Sequence, residues 1–165
     1  MADIVDKGIV KVARFSKLNN RINYFKVAPE AMKHVMSLER YVQKIKIDRK
    51  LKAMIKVYAS GINGCPFCLE MHTKEAQKLK IPNETLEALN DWKDSKLFEV
   101  KEKLALELTE HITNIAEYGV SEDLYQRVRE FYNEKEYFDL VAVINQINYW
   151  NRLAISMGNP PKSDI

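Results

Sequence analysis

The sequence predicts an all-α fold in a single domain, and three observations carry that prediction. Apolar residues recur at three-to-four spacing along most of the chain. Proline, aspartate, asparagine, serine and glycine stand where helices start and stop. No segment alternates with the period of two that a half-buried strand requires, and no Gly-rich hairpin turn is present. At 165 residues the chain fits one domain, and 46% apolar residues suffice for its core. No low-complexity linker divides it. The expected organisation is a single domain over 1–165, with 1–28 as an N-terminal arm or short helix around Val10–Phe15 and 29–158 as the helical core.

The elements follow in order. Pro29 suits a first helical turn, and Ala31, Val35, Leu38 and Val42 then mark one face. Asp48 caps a second helix that carries Leu51, Met54, Ile55 and Tyr58. Gly61-Ile62-Asn63-Gly64 breaks that helix, and Pro66 opens the next, expected to run to about Lys80. Ile81-Pro82-Asn83 is a further break, with Asn83 capping a short helix to about Trp92. A long helix is expected from Phe98 to Tyr118 on the stripe Leu104, Leu108, Ile112 and Ile115, ended by Gly119 in a left-handed cap. Ser121 starts another through about Tyr132. Asn133 and Glu136 form a capping-box pattern opening the last helix, with Leu140, Val143, Ile144, Ile147 and Trp150 as its stripe. Gly158-Asn159-Pro160-Pro161 stops it.

Charge excludes several classes of function. The 26 basic and 23 acidic side chains nearly cancel, and a net charge of +3 gives no concentrated basic face for nucleic acid. No basic block suits a membrane surface, and no apolar run approaches the ~20 residues that span a bilayer. Met1 to Asp6 is short, polar and partly acidic, unlike a signal peptide, so a cytoplasmic location is expected. In that reducing compartment paired cysteines serve chemistry more often than structure. The chain has two cysteines, three residues apart, and a bridge between them closes too small a loop to add much stability.

Chemistry therefore centres on Cys65-Pro66-Phe67-Cys68-Leu69-Glu70-Met71-His72. With a helix starting near Pro66, Cys65 is the cap or first-turn residue, Cys68 lies one turn on, and His72 follows four residues later. All three share one face. Sulfurs at i and i+3 are within disulfide reach. The open amides of the helix start favour a thiolate, and an imidazole one turn below Cys68 can take its proton or supply one to a leaving group. These parts suit a reversible dithiol–disulfide cycle. Helix-terminus electrostatics favour Cys65 as the attacking thiol and proximity of the base favours Cys68, and these two arguments leave the choice open.

Blander readings compete. A lone C-x-x-C also occurs in partial zinc sites, but zinc needs further ligands, and only His34 and His111 remain as histidines. Both sit in ordinary helices and read as structural or solvent-facing. Haem attachment requires a histidine directly after the second cysteine, where Leu69 stands. Tyr149 and Trp150 lie in an apolar stripe and read as core or interface. No metal and no cofactor are expected, and no Gly-rich dinucleotide fingerprint is present.

The stretch Ser60-Gly61-Ile62-Asn63-Gly64-Cys65-Pro66-Phe67-Cys68-Leu69-Glu70-Met71-His72-Thr73-Lys74-Glu75-Ala76 resembles the core motif of the alkylhydroperoxidase D-like family, which belongs with the carboxymuconolactone decarboxylases. Phe98 to Leu106 and Ile147-Asn148-Tyr149-Trp150-Asn151-Arg152-Leu153 agree as well, so the resemblance spans roughly residues 48–155. It implies an all-helical bundle of that type, homo-oligomers, and reduction of a small hydroperoxide through the cysteine pair. It also implies Cys68 as the peroxidatic thiol, Cys65 as the resolving one and His72 in a proton relay, with electrons from a thiol or protein reductant.

One departure stands out. Better-characterised members of the family carry a glutamate twelve residues before the first cysteine, where this chain has Ala53. Another acid then completes the relay, or the relay shortens to His72 and water, or peroxidase activity is weak. Glu102, in the second matching segment, is the candidate substitute, although a solvated helix residue is an equal reading. Glu70 points away from the thiol face. The alternatives to a peroxidase or disulfide oxidoreductase are a lyase of the decarboxylase branch and a non-enzymatic oxidant sensor.

Overall fold

A computed structural model describes residues 20–161, so the arm around Val10–Phe15 lies outside the described residues. Among the described residues every regular element is a helix, without a strand. In chain order the helices are α1 (Tyr24–Val27), α2 (Pro29–Lys44), α3 (Arg49–Ile62), α4 (Pro66–Lys78), α5 (Asn83–Glu87), α6 (Val100–Thr113), α7 (Ile115–Tyr118), α8 (Glu122–Arg129) and α9 (Glu134–Met157), with a 3-10 turn at Ala88–Asp91 after α5.

Local chemistry sets the boundaries. Asp48 Oδ1 accepts the amides of Lys50 and Leu51 at 2.9 and 3.0 Å, satisfying donors that the first turn of α3 leaves open. Ser121 does the same for α8, accepting from Leu124 N at 3.2 Å. Asn133 and Glu136 exchange reciprocal bonds of 3.0 and 2.9 Å at the start of α9. Gly158, with φ of 68°, closes α9 in a left-handed cap.

Four boundaries differ from expectation. The helix expected over 98–118 is interrupted at Asn114, whose side chain donates to Glu110 O at 3.1 Å and whose ψ of 40° leaves the helical region. An asparagine offers the backbone a competing local bond, which a stripe of leucines does not reveal. Gly119 has a positive φ of 61° as expected, but its ψ of −171° is extended rather than left-handed helical. Asn83 does not cap α5; that position is Pro82, and Asn83 Oδ1 accepts from Gln77 Nε2 at 3.0 Å. The helix expected through Tyr132 ends at Arg129, where Arg129 Nη1 instead donates to Tyr132 O at 3.1 Å.

The core forms around α3, which packs against α4, α6 and α9. Ile55, Leu106, Leu108, Leu140 and Ile144 are fully buried there. At roughly 1.5–3 kcal/mol for each large apolar side chain withdrawn from water, this layer dominates the stability of the fold. Trp92, just after the 3-10 turn, fastens that segment to α3 by donating to Tyr58 Oη at 2.9 Å. Burial pushes the Tyr58 phenol up to about 12, so it stays neutral and accepts that bond. With α3 held on three sides, its C-terminal end and the turn into α4 have a fixed position in the molecule.

Candidate active site

That turn carries the site. Gly64 takes φ of 64°, a conformation open to glycine, and reverses the chain between α3 and α4. Cys65 follows as the N-cap of α4, its amide donating to Ser60 O at 3.0 Å. Pro66 occupies the first position of the helix, where a missing amide costs nothing. Cys65 and Cys68 are joined as a disulfide with their Cα atoms 5.4 Å apart. The Cys68 amide donates to Cys65 Sγ at 3.3 Å, so the sulfur does what a serine or aspartate cap oxygen does elsewhere. This bond and the positive end of the helix dipole both favour negative charge on Cys65. Cys68 Sγ lies 4.0 Å from Trp150 O of α9.

Both cysteines are 1% exposed, packed with Ala154, Phe67 and Ile155. Phe67, half-buried between them in sequence, is a wall common to two surface clefts. One, of about 380 Å³, is bounded by Arg21, Ile22, Tyr24, Phe25 and Pro160 among others. The second, of about 280 Å³, is bounded by Glu70, Met71, Lys74, Glu75 and Lys78.

His72 is buried one turn beyond Cys68, on the same helix as expected. Its Nδ1 lies 2.8 Å from Glu75 Oε2, a carboxylate that sequence reasoning did not select. Glu75 was accessible to the i, i+3 rule applied from His72. Its second oxygen, Oε1, lies 3.8 Å from Nζ of Lys56 on α3, and no sequence signal marks that inter-helix pair. The His72 bond holds the Glu75 carboxyl below the usual carboxylate value, against the effect of burial, and the Lys56 and Lys52 charges add to it.

Glu102 is placed elsewhere. Its carboxylate accepts the Glu99 amide at 2.8 Å and closes a capping box at the start of α6. The carboxylate hydrogen-bonded to His72 is therefore Glu75, not Glu102, because Glu102 is three residues into its own helix and turns back to its open amides. Ala53 is buried on α3, one turn before Lys56. Glu70 pairs with Lys74.

His111 bonds Gly119 O through Nδ1 at 2.8 Å, and His34 is exposed on α2. Among the described residues no group of three or more His, Cys, Asp or Glu is arranged to hold a metal ion. Among them too, no helix is long and apolar enough to cross a membrane.

A buried polar network explains why α9 matters to this site. Asn63 Nδ2 donates to Asn148 Oδ1 at 2.8 Å and to Asn151 Oδ1 at 3.0 Å. Asn151 Nδ2 donates to Ser60 Oγ at 3.0 Å, while Asn148 Nδ2 donates to Thr113 Oγ1 at 3.1 Å. Arg152 Nη1 donates to Asn148 Oδ1 at 2.8 Å. Ser60 and Asn151 are fully buried, so these bonds are formed away from water, where an unpaired polar group is costly. The network ties the turn that carries Cys65 to α6 and α9. On the other side of Trp150, its Nε1 donates to Glu39 of α2 at 2.9 Å.

Residues 29–111 match the model of the carboxymuconolactone decarboxylase family. The chain is 44% identical over 142 residues to the uncharacterised protein YdfG of Bacillus subtilis, which covers 86% of this chain and 97% of YdfG. It is similar to the crystal structure of an Agrobacterium tumefaciens protein of unknown function, provisionally named antioxidant defence protein AhpD. The TM-score is 0.82 at 34% identity, over 87% of this chain and 98% of that one. A peroxidase-related protein from Silicibacter shares the fold at 20% identity, with a TM-score of 0.72 over 82% of this chain and 72% of its own.

Proposed function

The chain belongs to the carboxymuconolactone decarboxylase family and has the all-α, AhpD-like fold, and on that premise we propose that it is a thiol peroxidase and disulfide oxidoreductase working through Cys65 and Cys68. The observation that carries this reading is the pair of sulfurs at the start of α4, bonded to one another, with His72 buried one turn on.

The cycle begins with reduced cysteines. His72 takes the Cys68 proton, and the thiolate attacks the distal oxygen of a hydroperoxide. The O–O bond breaks, Cys68 becomes a sulfenic acid, and the alkoxide leaves as an alcohol after accepting the proton. Cys65 Sγ then attacks Cys68 Sγ; the S–O bond breaks, hydroxide departs with a proton as water, and the disulfide closes. The Cys68 amide on Cys65 Sγ supports the resolving role, because it stabilises the thiolate that must attack. A small dithiol or a protein thiol returns two electrons by exchange, attacking Cys68 and releasing Cys65 as the better leaving group. The sequence contains no nicotinamide or flavin fingerprint, which favours such a thiol donor. We place the cycle in a reducing cytoplasm, in a homo-oligomer. Glu102 has no part in this scheme.

The test is consumption of cumene hydroperoxide in the presence of a dithiol, by wild type and by Cys68→Ser. Turnover in wild type and its loss in the variant is expected. Equal rates in the two proteins would remove the peroxidase reading. Turnover of a carboxylated lactone that survived loss of both cysteines would establish the lyase alternative instead.

A further inference from the structure

Glu75 joins two helices of the site and reaches solvent. Its Oε2 lies 2.8 Å from His72 Nδ1 on α4, and its Oε1 lies 3.8 Å from Lys56 Nζ on α3. The side chains of His72 and Lys56 are 8% and 10% exposed, whereas that of Glu75 is 48% exposed and borders the cleft beside Phe67.

The Lys56 stem is packed along α3 and brings its ammonium to the carboxylate that also holds His72. At 3.8 Å the contact is an ion pair rather than a hydrogen bond, so its action on Glu75 is electrostatic. Lys52, one turn earlier on α3, adds to the same field while its Nζ donates to the C-terminal carbonyls of α2. The charged and titratable groups around Glu75 are thus Lys52 and Lys56 from α3 and, on α4, His72 with the Glu70, Lys74 and Lys78 that share the cleft.

An ionised carboxylate on Nδ1 dictates the state of the imidazole. A carboxylate only accepts, so Nδ1 must carry the hydrogen, and Nε2 is then the nitrogen left for proton exchange. We propose that Glu75 is the positioning carboxylate of this site: held by Lys56 from the neighbouring helix, it fixes His72 with Nδ1 protonated and so keeps Nε2 as the base for Cys68. The inference rests on the dithiol reading above, in which His72 takes the Cys68 proton. Glu75 and Lys56 act through His72 and touch no reacting atom. Because Glu75 also faces the cleft, it gives the buried imidazole a polar route to bulk water.

The experiment follows Cys68 without peroxide. Full-length Cys65→Ser protein is reduced, and the rate of Cys68 alkylation by iodoacetamide is measured between about pH 5 and pH 9, a range spanning the histidine and thiol titrations. Added to that background, Glu75→Gln is expected to lower the neutral-pH rate by roughly tenfold or more and to change the shape of the profile. Lys56→Met should move the acid limb upward in pH, because Glu75 then loses its ammonium, and Lys56→Arg should restore the parent profile. A Glu75→Gln profile that superimposes on the parent would overturn the proposal. So would a Lys56→Arg profile no nearer the parent than that of Lys56→Met, a comparison that decides the matter should Glu75→Gln fail to fold. Since alkylation needs no hydroperoxide, a protein that fails to turn over peroxide yet keeps the Glu75-dependent profile would lose the peroxidase reading and retain this one.

Discussion

Arg127 of α8 takes both oxygens of Glu107 on α6, with Nη1 and Nη2 donating at 2.8 and 2.7 Å, and its Nε donates to Asp123 at 2.9 Å. The Arg127 bonds hold the Glu107 carboxyl below its ordinary 4.5, as the His72 bond does for Glu75. A carboxyl whose value is depressed on folding binds fewer protons in the folded than in the unfolded chain. Its stabilising contribution is therefore complete above the unfolded value and is lost as pH falls through the folded one. We expect the melting temperature to fall as pH drops below about 4.5, with a shallower fall in Glu107→Gln; calorimetry over that range checks it, and an identical acid limb in the variant would contradict it. The Glu107 side chain remains 23% and Arg127 40% exposed, so solvent screens the pair and the effect is modest. Single residues were legible in sequence where one helix holds them together. Cys65, Cys68 and His72 follow from counting along α4; Glu75 lies within reach of the same count but was not selected. Lys56 does not, because its partner sits on another helix and only packing brings the two together. Glu102 misled for a related reason: a glutamate third in its helix is also where a capping box places one.

At the scale of elements, four of the five stripe positions expected on the last helix, Leu140, Val143, Ile144 and Ile147, are fully buried, whereas Trp150 is half-buried and donates to Glu39. What the stripe does not reveal is that Asn148 and Asn151 are buried with it and bond to Asn63, Ser60 and Thr113. The bonds to Asn63 and Ser60 cross 85 to 91 residues of sequence and the one to Thr113 crosses 35, so the motif Asn148-Tyr149-Trp150-Asn151-Arg152 was visible while its purpose was not. The purpose is to fix the turn on which Cys65 stands. Asn151→Ala leaves Ser60 Oγ and Asn63 without that partner, and a loss of about 1–3 kcal/mol is expected in urea unfolding. Slower disulfide closure should accompany it, since the Cys65 turn loses a tether. A variant as stable as wild type would show that water replaces the amide at no cost. Breaks within elements were hard to read for a like reason: Asn114 ends α6 through its own side chain, although the leucines around it continue a helical period.

At the scale of the molecule, the fold and the chemistry are linked through α3. It is buried along most of its length, supplies Lys56 to one end of the site, and ends in the Gly64 turn that presents Cys65 to α4. That central position was not legible from periodicity, which ranks helices by amphipathicity and not by how many neighbours they have. The all-α class and the placement of the dithiol at a helix start were legible, because caps and breakers act over a few residues. Both sulfurs are sealed in the oxidised state, with Phe67 between two clefts, so exchange with any donor requires this corner of the molecule to open.

In the proposed cycle the two thiols have different roles. Mass spectrometry of the reduced protein after one equivalent of peroxide, with and without Cys65→Ser, tests this most directly. Loss of two hydrogens is expected in wild type, and a trappable sulfenic acid on Cys68 in the variant. Thiols left intact by peroxide, or a sulfenic acid that instead formed on Cys65 in Cys68→Ser at the wild-type rate, would contradict it.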